Sequence, residues 1–215
     1  MFNDRYGLTQ AVLDGRKTQT RRIITCPKTF KGEDVAGFHV YRRMSDNAIL
    51  EYPIMYDADE RDFDGGYIEP KYKVGEVVAV AQSYKEAGIE FVPIRQSVLA
   101  GKKSDARQHG WTKHMAAFNN KMFTAADILP HRIRITDVRV ERLNDISETD
   151  CRAEGVDSWV CRGKRYYGFF DYSKDEFVRC NSPREAYAAL IDRISGKGVW
   201  QSNPWVFAYT FELVK

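Results

Sequence analysis

Apolar and polar residues alternate in short stretches along the chain, and glycine or proline bounds most of them. The run 77–81 is apolar throughout and follows a turn residue, Gly75, so it predicts a strand buried on both faces. In 132–143 the apolar positions alternate twice, and the second series is one step out of phase with the first. That slip, at Thr136–Asp137, predicts a bulge or bend of the kind that barrel corners require. Aromatic residues at every second position predict a closing strand over 205–213.

Other segments have helical spacing and recognisable end signals. An apolar side marks 9–14, and capping-box spacing opens helices at 147–150 (SETD) and 182–185 (SPRE). A glycine that can adopt a left-handed conformation ends each of these helices: Gly15, Gly155 and Gly196. The TAAD stretch at 124–127 has the same capping-box spacing and predicts a further one-turn helix.

The remaining segments are polar or lack a clear period. We interpret 25–72, which has weak strands at 38–42 and 49–55, as an insertion or elaborated loop region, and 157–181 as a hairpin or insertion. The stretch 85–118 has weak periodicity and a charged centre and predicts no single element. Strands separated by short helices and interrupted by bends predict an α+β fold built on a small, partly open β-barrel. At 215 residues we expect one domain with a sizeable core.

The composition narrows the class of protein. With 43% hydrophobic and 13% aromatic residues, disorder is excluded as the main state. No apolar run reaches the length of a membrane span, and the first six residues carry no signal-peptide core. The four cysteines lack C-x-x-C spacing, so we expect a reduced, cytoplasmic chain. A net charge of +3 is too small for a surface that coats a duplex, so any anion binding should be local.

The densest run of cations stands in DGRKTQTRRI, residues 14–23. Three interpretations are open at this point: a solvated basic face, a nucleic-acid patch, or part of a catalytic site. Lys17 and Thr20 would point to opposite faces of a flat strand, because successive side chains alternate. They can share a site only if the backbone turns or bulges between them, and Gly15 favours such a break.

Gly15, Lys17, Thr20 and Arg22 spell G-x-K-x-x-T-x-R. This motif resembles the signature of the ASCH domain (the activating signal cointegrator homology domain), a relative of the PUA fold. Further stretches resemble the family in the same order: KVGEVVAVAQSY at 73–84, ITDVRVERLNDISETDCRAEGV at 135–156 and NPWVFAYTFE at 203–212. An NKMF stretch at 120–123 is similar to one in the larger ASCH-like proteins of bacteria and their phages. The resemblance implies one PUA-like domain over residues 1–215, with insertions at 26–70, 85–110 and 157–181.

The resemblance also implies a class of function. ASCH relatives are generally assigned to RNA binding or to unknown roles. One small bacterial branch hydrolyses the amide of N4-acetylcytidine with a lysine, a threonine and a glutamate, which fall here on Lys17, Thr20 and Glu154. The candidate binding residues around them are Gly15, Arg21, Arg22, Lys121, Arg132 and Trp205. We expect no metal or other cofactor, since His109 and His114 are poorly spaced for metal ligands.

Each candidate residue also has a structural interpretation. Lysine and threonine suit a solvated strand face, Trp205 suits the core, and the Tyr/Phe cluster at 166–172 can pack an insertion onto the domain. Three hypotheses about function therefore stand side by side. They are RNA or nucleoside binding without chemistry, amide hydrolysis on a modified cytidine, and a phage-linked structural or accessory role. The sequence does not determine the oligomeric state.

Overall fold

A computed structural model describes residues 2–46, 48–49, 52–89 and 118–214 of the chain. The α-helices are α1 (Leu8–Leu13), α2 (Glu148–Ala153), α3 (Pro183–Ser195) and α4 (Val199–Ser202). Short 3-10 helices span Asp4–Tyr6, Lys121–Phe123 and Leu143–Asp145. The strands up to the middle of the chain are β1 (Gln19–Ile23), β2 (Thr29–Phe30), β3 (Glu33–Asp34), β4 (Gly37–His39), β5 (Ile54–Tyr56), β6 (Asp62–Tyr67) and β7 (Val77–Ala79). The later strands are β8 (Arg132–Arg142), β9 (Asp157–Cys161), β10 (Lys164–Asp171), β11 (Glu176–Cys180) and β12 (Trp205–Val214).

The central sheet joins the two ends of the chain. Its order is β1-β12-β8-β7, all neighbours are antiparallel, and it curls into a half-barrel. The ladder between β8 and β12 shifts register at Thr210/Phe211, where Thr210 pairs with Asp137 and Phe211 with Ile135. Thr136 is the extra residue, so the bulge predicted from the parity slip is confirmed. Helices and mostly antiparallel strands confirm the α+β class, and the curled sheet is compatible with a partly open barrel.

The helix ends follow the capping signals in the sequence. The Ser147 side chain accepts a hydrogen bond from the backbone N–H of Asp150, and the Ser182 side chain accepts one from Glu185. Gly15 and Gly155 lie just beyond α1 and α2 with φ of 73° and 104°. A side chain at Gly155 would place its Cβ 2.9 Å from Leu8 Cδ2. This close approach packs the end of α2 against the first residue of α1.

Two smaller sheets occupy segments that we predicted to be insertions. Strands β4, β5 and β6 lie within 26–70, and β9, β10 and β11 form a three-stranded meander over the segment predicted as a hairpin or insertion. The strand predicted at 38–42 is shorter, and the one predicted at 49–55 begins only after Pro53. Proline cannot donate to a ladder, so it delays the start of β5. Of the stretch 85–118, residues 90–117 lie outside the described residues.

Two local predictions are wrong. No helix forms over 124–127, because the Thr124 hydroxyl donates back to the carbonyl of Lys121 at 2.8 Å instead of capping forward. It closes the 3-10 helix Lys121–Phe123. The run 77–81 is not buried on both faces, since Val77 is 42% exposed and β7 lies at one edge of the sheet as the structure describes it.

The core has two main clusters, one on each side of the central sheet. On one side Val206 packs with α2, α3 and the meander, whose Phe169 is buried. On the other side Phe207, Tyr209 and Phe211 fill the half-barrel, as the aromatic face predicted for the closing strand requires. Among the described residues, no helix is both long enough and apolar enough to cross a membrane.

Candidate functional site

The loop after α1 places Lys17 outside strand β1. The backbone N–H of Lys17 donates to the carbonyl of Ala11 at 2.9 Å, and that of Thr18 donates to the carbonyl of Ala153 at the end of α2, at 2.8 Å. Regular pairing with β12 begins only at Gln19. The backbone therefore does not run as one flat strand from Lys17 to Thr20. A break in the strand between Lys17 and Thr20, which the two side chains need in order to share a site, is therefore present.

The ammonium group of Lys17 is buried and fully hydrogen-bonded. Lys17 is 2% exposed. Its Nζ donates to the carboxylate oxygen Oε2 of Glu154 at 2.6 Å, to the backbone carbonyl of Glu154 at 2.7 Å and to that of Gln19 at 2.7 Å. These three acceptors match the three protons of an ammonium group. The lysine is thus held in one orientation beside the end of α2.

Arg21 fixes the same glutamate from the strand. Its guanidinium is fully buried and donates to Glu154 Oε1 at 3.1 Å, to Glu141 Oε1 at 2.7 Å and to Asp150 Oδ2 at 3.1 Å. The Glu154 carboxylate consequently lies between two cationic donors, one on each oxygen. Buried charges are tolerated only when paired in this way.

Burial and neighbouring charges act on Lys17 in opposite directions. Loss of hydration lowers the pKa of the Lys17 amine, the Glu154 carboxylate raises it, and Arg22 and Arg21 lower it further. The net effect is a pKa below the ordinary lysine value. Arg21 behaves differently, because its carboxylate partners outweigh its burial and raise the pKa of the guanidinium. The site therefore holds permanent cations beside an amine that gives up its proton more easily than usual.

A cavity of about 180 Å³ opens beside this network. Its polar wall comes from the loop before β1, from β1 itself and from the end of α2, and consists of Lys17, Thr20, Arg21, Arg22 and Glu154. Its apolar wall comes from α3 and consists of Tyr187, Leu190, Ile191 and Ile194. Phe2, Asn3 and Leu8 line the cavity from the N-terminal segment, and the Phe2 ring centroid lies 5.7 Å from Lys17 Nζ. Thr20 and Lys17 thus face the same space.

The structure brings five of the sequence candidates together and leaves four elsewhere. Lys17, Thr20, Arg21, Arg22 and Glu154 line the cavity described above. Gly15 is exposed in the turn after α1, and Arg132 donates to the carbonyls of Ala126 and Asp127. The Trp205 ring lies under the guanidinium groups of Arg42 and Arg142, at 5.0 and 4.3 Å from the ring centroid. Trp205 therefore packs against these two arginines and does not line the cavity beside Lys17.

Lys121 contacts the N-terminal segment rather than the cavity wall. Its Nζ donates to the carbonyl of Phe2 and pairs with Asp4 Oδ2, both at 2.5 Å. Phe2 and Asn3 also line a neighbouring cavity of about 490 Å³ that Lys121 itself lines. The lysine of the NKMF stretch therefore holds the segment that separates the two spaces.

Sequence reasoning missed several residues of the site. Tyr187 lines the cavity, and its buried hydroxyl has no hydrogen-bond partner among the described residues. Burial raises the pKa of this hydroxyl well above 10, so it remains protonated. Gln19, Glu141 and Asp150 complete the bonds around Arg21. The i, i+4 spacing of Asp150 and Glu154 on the acidic helix was a usable signal, because it puts both carboxylates on one face.

No group of three metal-ligating side chains occurs among the described residues, and His109 and His114 lie outside them. A comparison with protein-family models, curated proteins and solved structures finds no match for the chain. The ASCH resemblance of the motif consequently stays a prediction. What can be said about function rests on the site itself.

Proposed function

We propose that the chain is an ASCH-related, PUA-like protein that binds a nucleoside, or an unstacked base of RNA, in the cavity beside Lys17. The observation that carries this proposal is the contrast between the cavity's two walls. Leu190, Ile191 and Ile194 offer an apolar surface to the face of a planar ring, and the opposite wall offers charged and hydroxyl groups to its edge. Unstacked bases are read in this manner, by apolar contact on the face and hydrogen bonds at the edge.

The size of the cavity sets the size of the ligand. The cavity has a volume of about 180 Å³. That space suits a single ring system, and it is below the range of about 300–1,000 Å³ typical of drug-sized ligands. The curled half-barrel and the motif G-x-K-x-x-T-x-R support the PUA-like assignment.

The binding proposal is tested by calorimetry with cytidine, N4-acetylcytidine, uridine and adenosine. We expect one of these ligands to bind, and Thr20→Val to weaken binding about fivefold to tenfold, because a lost hydrogen bond costs about 1–1.5 kcal/mol. Thr29→Val is the matched control, since Thr29 lies exposed on β2. If the folded wild-type protein binds none of the four nucleosides and no single-stranded RNA, the structural or accessory role becomes the better hypothesis.

A second candidate function is hydrolysis of the amide of N4-acetylcytidine or a related nucleoside. The observation that favours it is a buried amine of lowered pKa that lines one cavity with a hydroxyl and a carboxylate. In this scheme the lowered pKa of Lys17 lets it release a proton to solvent, and the neutral amine, oriented by the Glu154 carboxylate, accepts the Thr20 hydroxyl proton as the oxygen attacks the amide carbonyl. The amine of Lys17 then protonates the departing N4 of cytidine, and water hydrolyses the acyl-threonine to acetate and free hydroxyl.

Hydrolysis is measured as cytidine released from N4-acetylcytidine, separated by chromatography. Lys17→Met and Thr20→Val should abolish release, whereas Thr29→Val should retain the wild-type rate. If the wild type binds N4-acetylcytidine but releases no cytidine, the catalytic candidate is rejected for this substrate and the binding proposal stands.

A further inference from the structure

A groove of about 770 Å³ lies away from Lys17, between strand β8 and residues of the segment that contains β4, β5 and β6. It is lined by Val138, Arg139, Val140 and Glu141 on one side and by Ile49, Tyr52 and Tyr67 on the other. Val138 and Val140 pack toward the half-barrel core, whereas Arg139 and Glu141 pair with Asp150 and Arg21 on the opposite face. A groove that touches side chains of both faces must run along the edge of the strand.

That edge of β8 lacks a neighbouring strand among the described residues. Strand β7 lies beyond β8 in the sheet order, but its ladder covers only Arg132, Ile133 and Arg134. Glu76 extends the pairing by one more residue, through hydrogen bonds in both directions between 75–76 and Ile135. The stretch 136–142 is paired with β12 on one side only.

The direction of the free hydrogen-bonding groups follows from the ladder. The carbonyl of Pro204 accepts from Leu143 of the β8 side, and the next carbonyl, that of Trp205, accepts from Ile24 of the β1 side. Because backbone groups alternate along an antiparallel strand, Val206, Ala208 and Thr210 face β8, and their partners Glu141, Arg139 and Asp137 face β12. The backbone N–H and C=O groups of Val138, Val140 and Arg142 therefore point outward, toward the groove.

We propose that this edge is a docking site for an extended peptide, which adds to the central sheet as a strand beside residues 138–142. Main-chain hydrogen bonds give such an addition its affinity, and alternate side chains give it specificity. The peptide's apolar side chains would lie against Val138, Val140 and the rings of Tyr52 and Tyr67, both of which are 42% exposed. Seven residues of free edge span about 23 Å, enough for a peptide of similar length.

The surroundings define the occupant further. Tyr52 and Tyr67 line the groove on the side opposite the edge of β8, and its volume of about 770 Å³ accommodates an extended peptide. Two guanidinium groups, Arg42 and Arg142, gather at the Trp205 end, and among the described residues the carboxylate of Asp145 lies 3.9 Å from the first of them. This surplus of positive charge favours a glutamate or aspartate at that end of the peptide.

The test is a titration of the isotope-labelled full chain with an octapeptide of alternating valine and threonine that carries glutamate at both ends. We expect the amide signals of Val138, Val140 and Arg142 to shift and their hydrogen exchange to slow. Val140→Pro removes an outward N–H without breaking the ladder to β12, and should weaken binding about tenfold. Tyr52→Ala should weaken binding as well, while Tyr41→Ala is the matched control, because Tyr41 does not line the groove.

Backbone methylation of the peptide separates strand addition from other modes of binding. Of two octapeptides methylated at alternate backbone nitrogens, one should bind and the other should not, because only every second residue faces the edge. The proposal is overturned if the octapeptide leaves these amides unshifted, or if both methylated peptides bind equally. It is also overturned if an oligouridylate shifts the same amides while the peptide does not, or if the shifts arise from self-association of the chain alone.

Discussion

At the scale of single residues, Glu154 and Lys17 depend on each other unequally. Lys17 has one carboxylate partner among the described residues, whereas Glu154 has two cations, Lys17 and Arg21. Removing one member of a buried pair leaves an uncompensated charge and costs about 3–5 kcal/mol. We predict that Glu154→Gln lowers the free energy of unfolding by about 3 kcal/mol, and that Lys17→Met costs less, because Arg21 still neutralises the glutamate.

Urea unfolding of the two single variants and of the double variant checks this prediction. The double variant should be destabilised by less than the sum of the two single effects, since both report on one interaction. Asp157→Asn, which breaks the exposed ion pair with Arg16, is the control and should change the stability by less than about 1 kcal/mol. Equal effects of Glu154→Gln and Asp157→Asn would contradict the structural role assigned to the buried pair.

The sequence identified Lys17, Thr20 and Glu154 through a spacing and a family resemblance, and the structure brings their side chains to one cavity. The sequence analysis also included Arg21 as a candidate binding residue, but its hydrogen bonds to three carboxylates are visible only in the structure. Tyr187 could not be found in this way. Its apolar helical spacing is that of any core residue, and its relation to Lys17 depends on how α3 packs across the sheet.

At the scale of elements, one ion pair ties the N-terminal 3-10 helix to the meander. Arg5 donates to both carboxylate oxygens of Asp171 at 2.9 Å, and Ser173 donates to the same group from its backbone and its hydroxyl. These donors hold the pKa of the Asp171 carboxyl well below its usual value of 3.8. The backbone N–H of Tyr172 also donates to the carbonyl of Arg5 at 2.9 Å. This link also positions Phe2 and Asn3, which immediately precede the 3-10 helix and line the cavity beside Lys17.

A carboxyl group with a depressed pKa in the folded state makes stability depend on pH in the acid range. The unfolded chain binds a proton at about pH 4 while the folded chain does not, so stability falls as the pH falls from about 4 toward the folded pKa. We predict that Asp171→Asn removes this part of the acid dependence, so that the variant and the wild type converge in stability as the pH falls. Urea midpoints at about pH 6, 4 and 2.5 measure it, with exposed Asp34→Asn as control. A constant difference across this range would contradict the prediction.

Elements were predictable where a local rule decides them. Ser147 and Ser182 cap their helices as the spacing requires, and the parity slip at Thr136 marks the bulge. Predictions were wrong where a side chain could form either of two local hydrogen bonds, or where tertiary packing determined the exposure of a residue. Thr124 bonds backward to Lys121 rather than forward. The apolar residues around Val77 predict that it is buried, yet it is exposed because it lies on an edge strand of the described sheet.

At the scale of the whole molecule, the segments that resemble insertions in sequence differ in what they do for the core. The meander of β9, β10 and β11 buries Phe169 in the cluster that also contains Tyr187 and Leu190 of α3. The hairpin of β2 and β3 contributes Phe30, which contacts Phe63, and is otherwise exposed. The Tyr/Phe cluster at 166–172 indicates that the later segment can pack onto the domain, but the sequence does not show which of its rings enters the core. Only the packing of Phe169 between a helix and the N-terminal Tyr6 shows the difference.

This difference predicts opposite results for two deletions. Residues 29–34 can be replaced by a glycine pair, because the backbone N–H of Val35 already donates to the carbonyl of Lys28 at 3.0 Å, so the ends of the hairpin are adjacent. We expect this variant to fold and to lose the contact of Phe30 with Phe63, at about 1 kcal/mol, together with the exposed hydrogen bond from Lys31 Nζ to the carbonyl of Asp64. Replacing 157–181 by a short glycine–serine linker opens the cluster around α3, and burying a phenylalanine alone is worth about 3–5 kcal/mol. That chain should not unfold cooperatively. Thermal unfolding followed by circular dichroism measures both variants, and a cooperative transition in the second one would show that the half-barrel is stable without the meander.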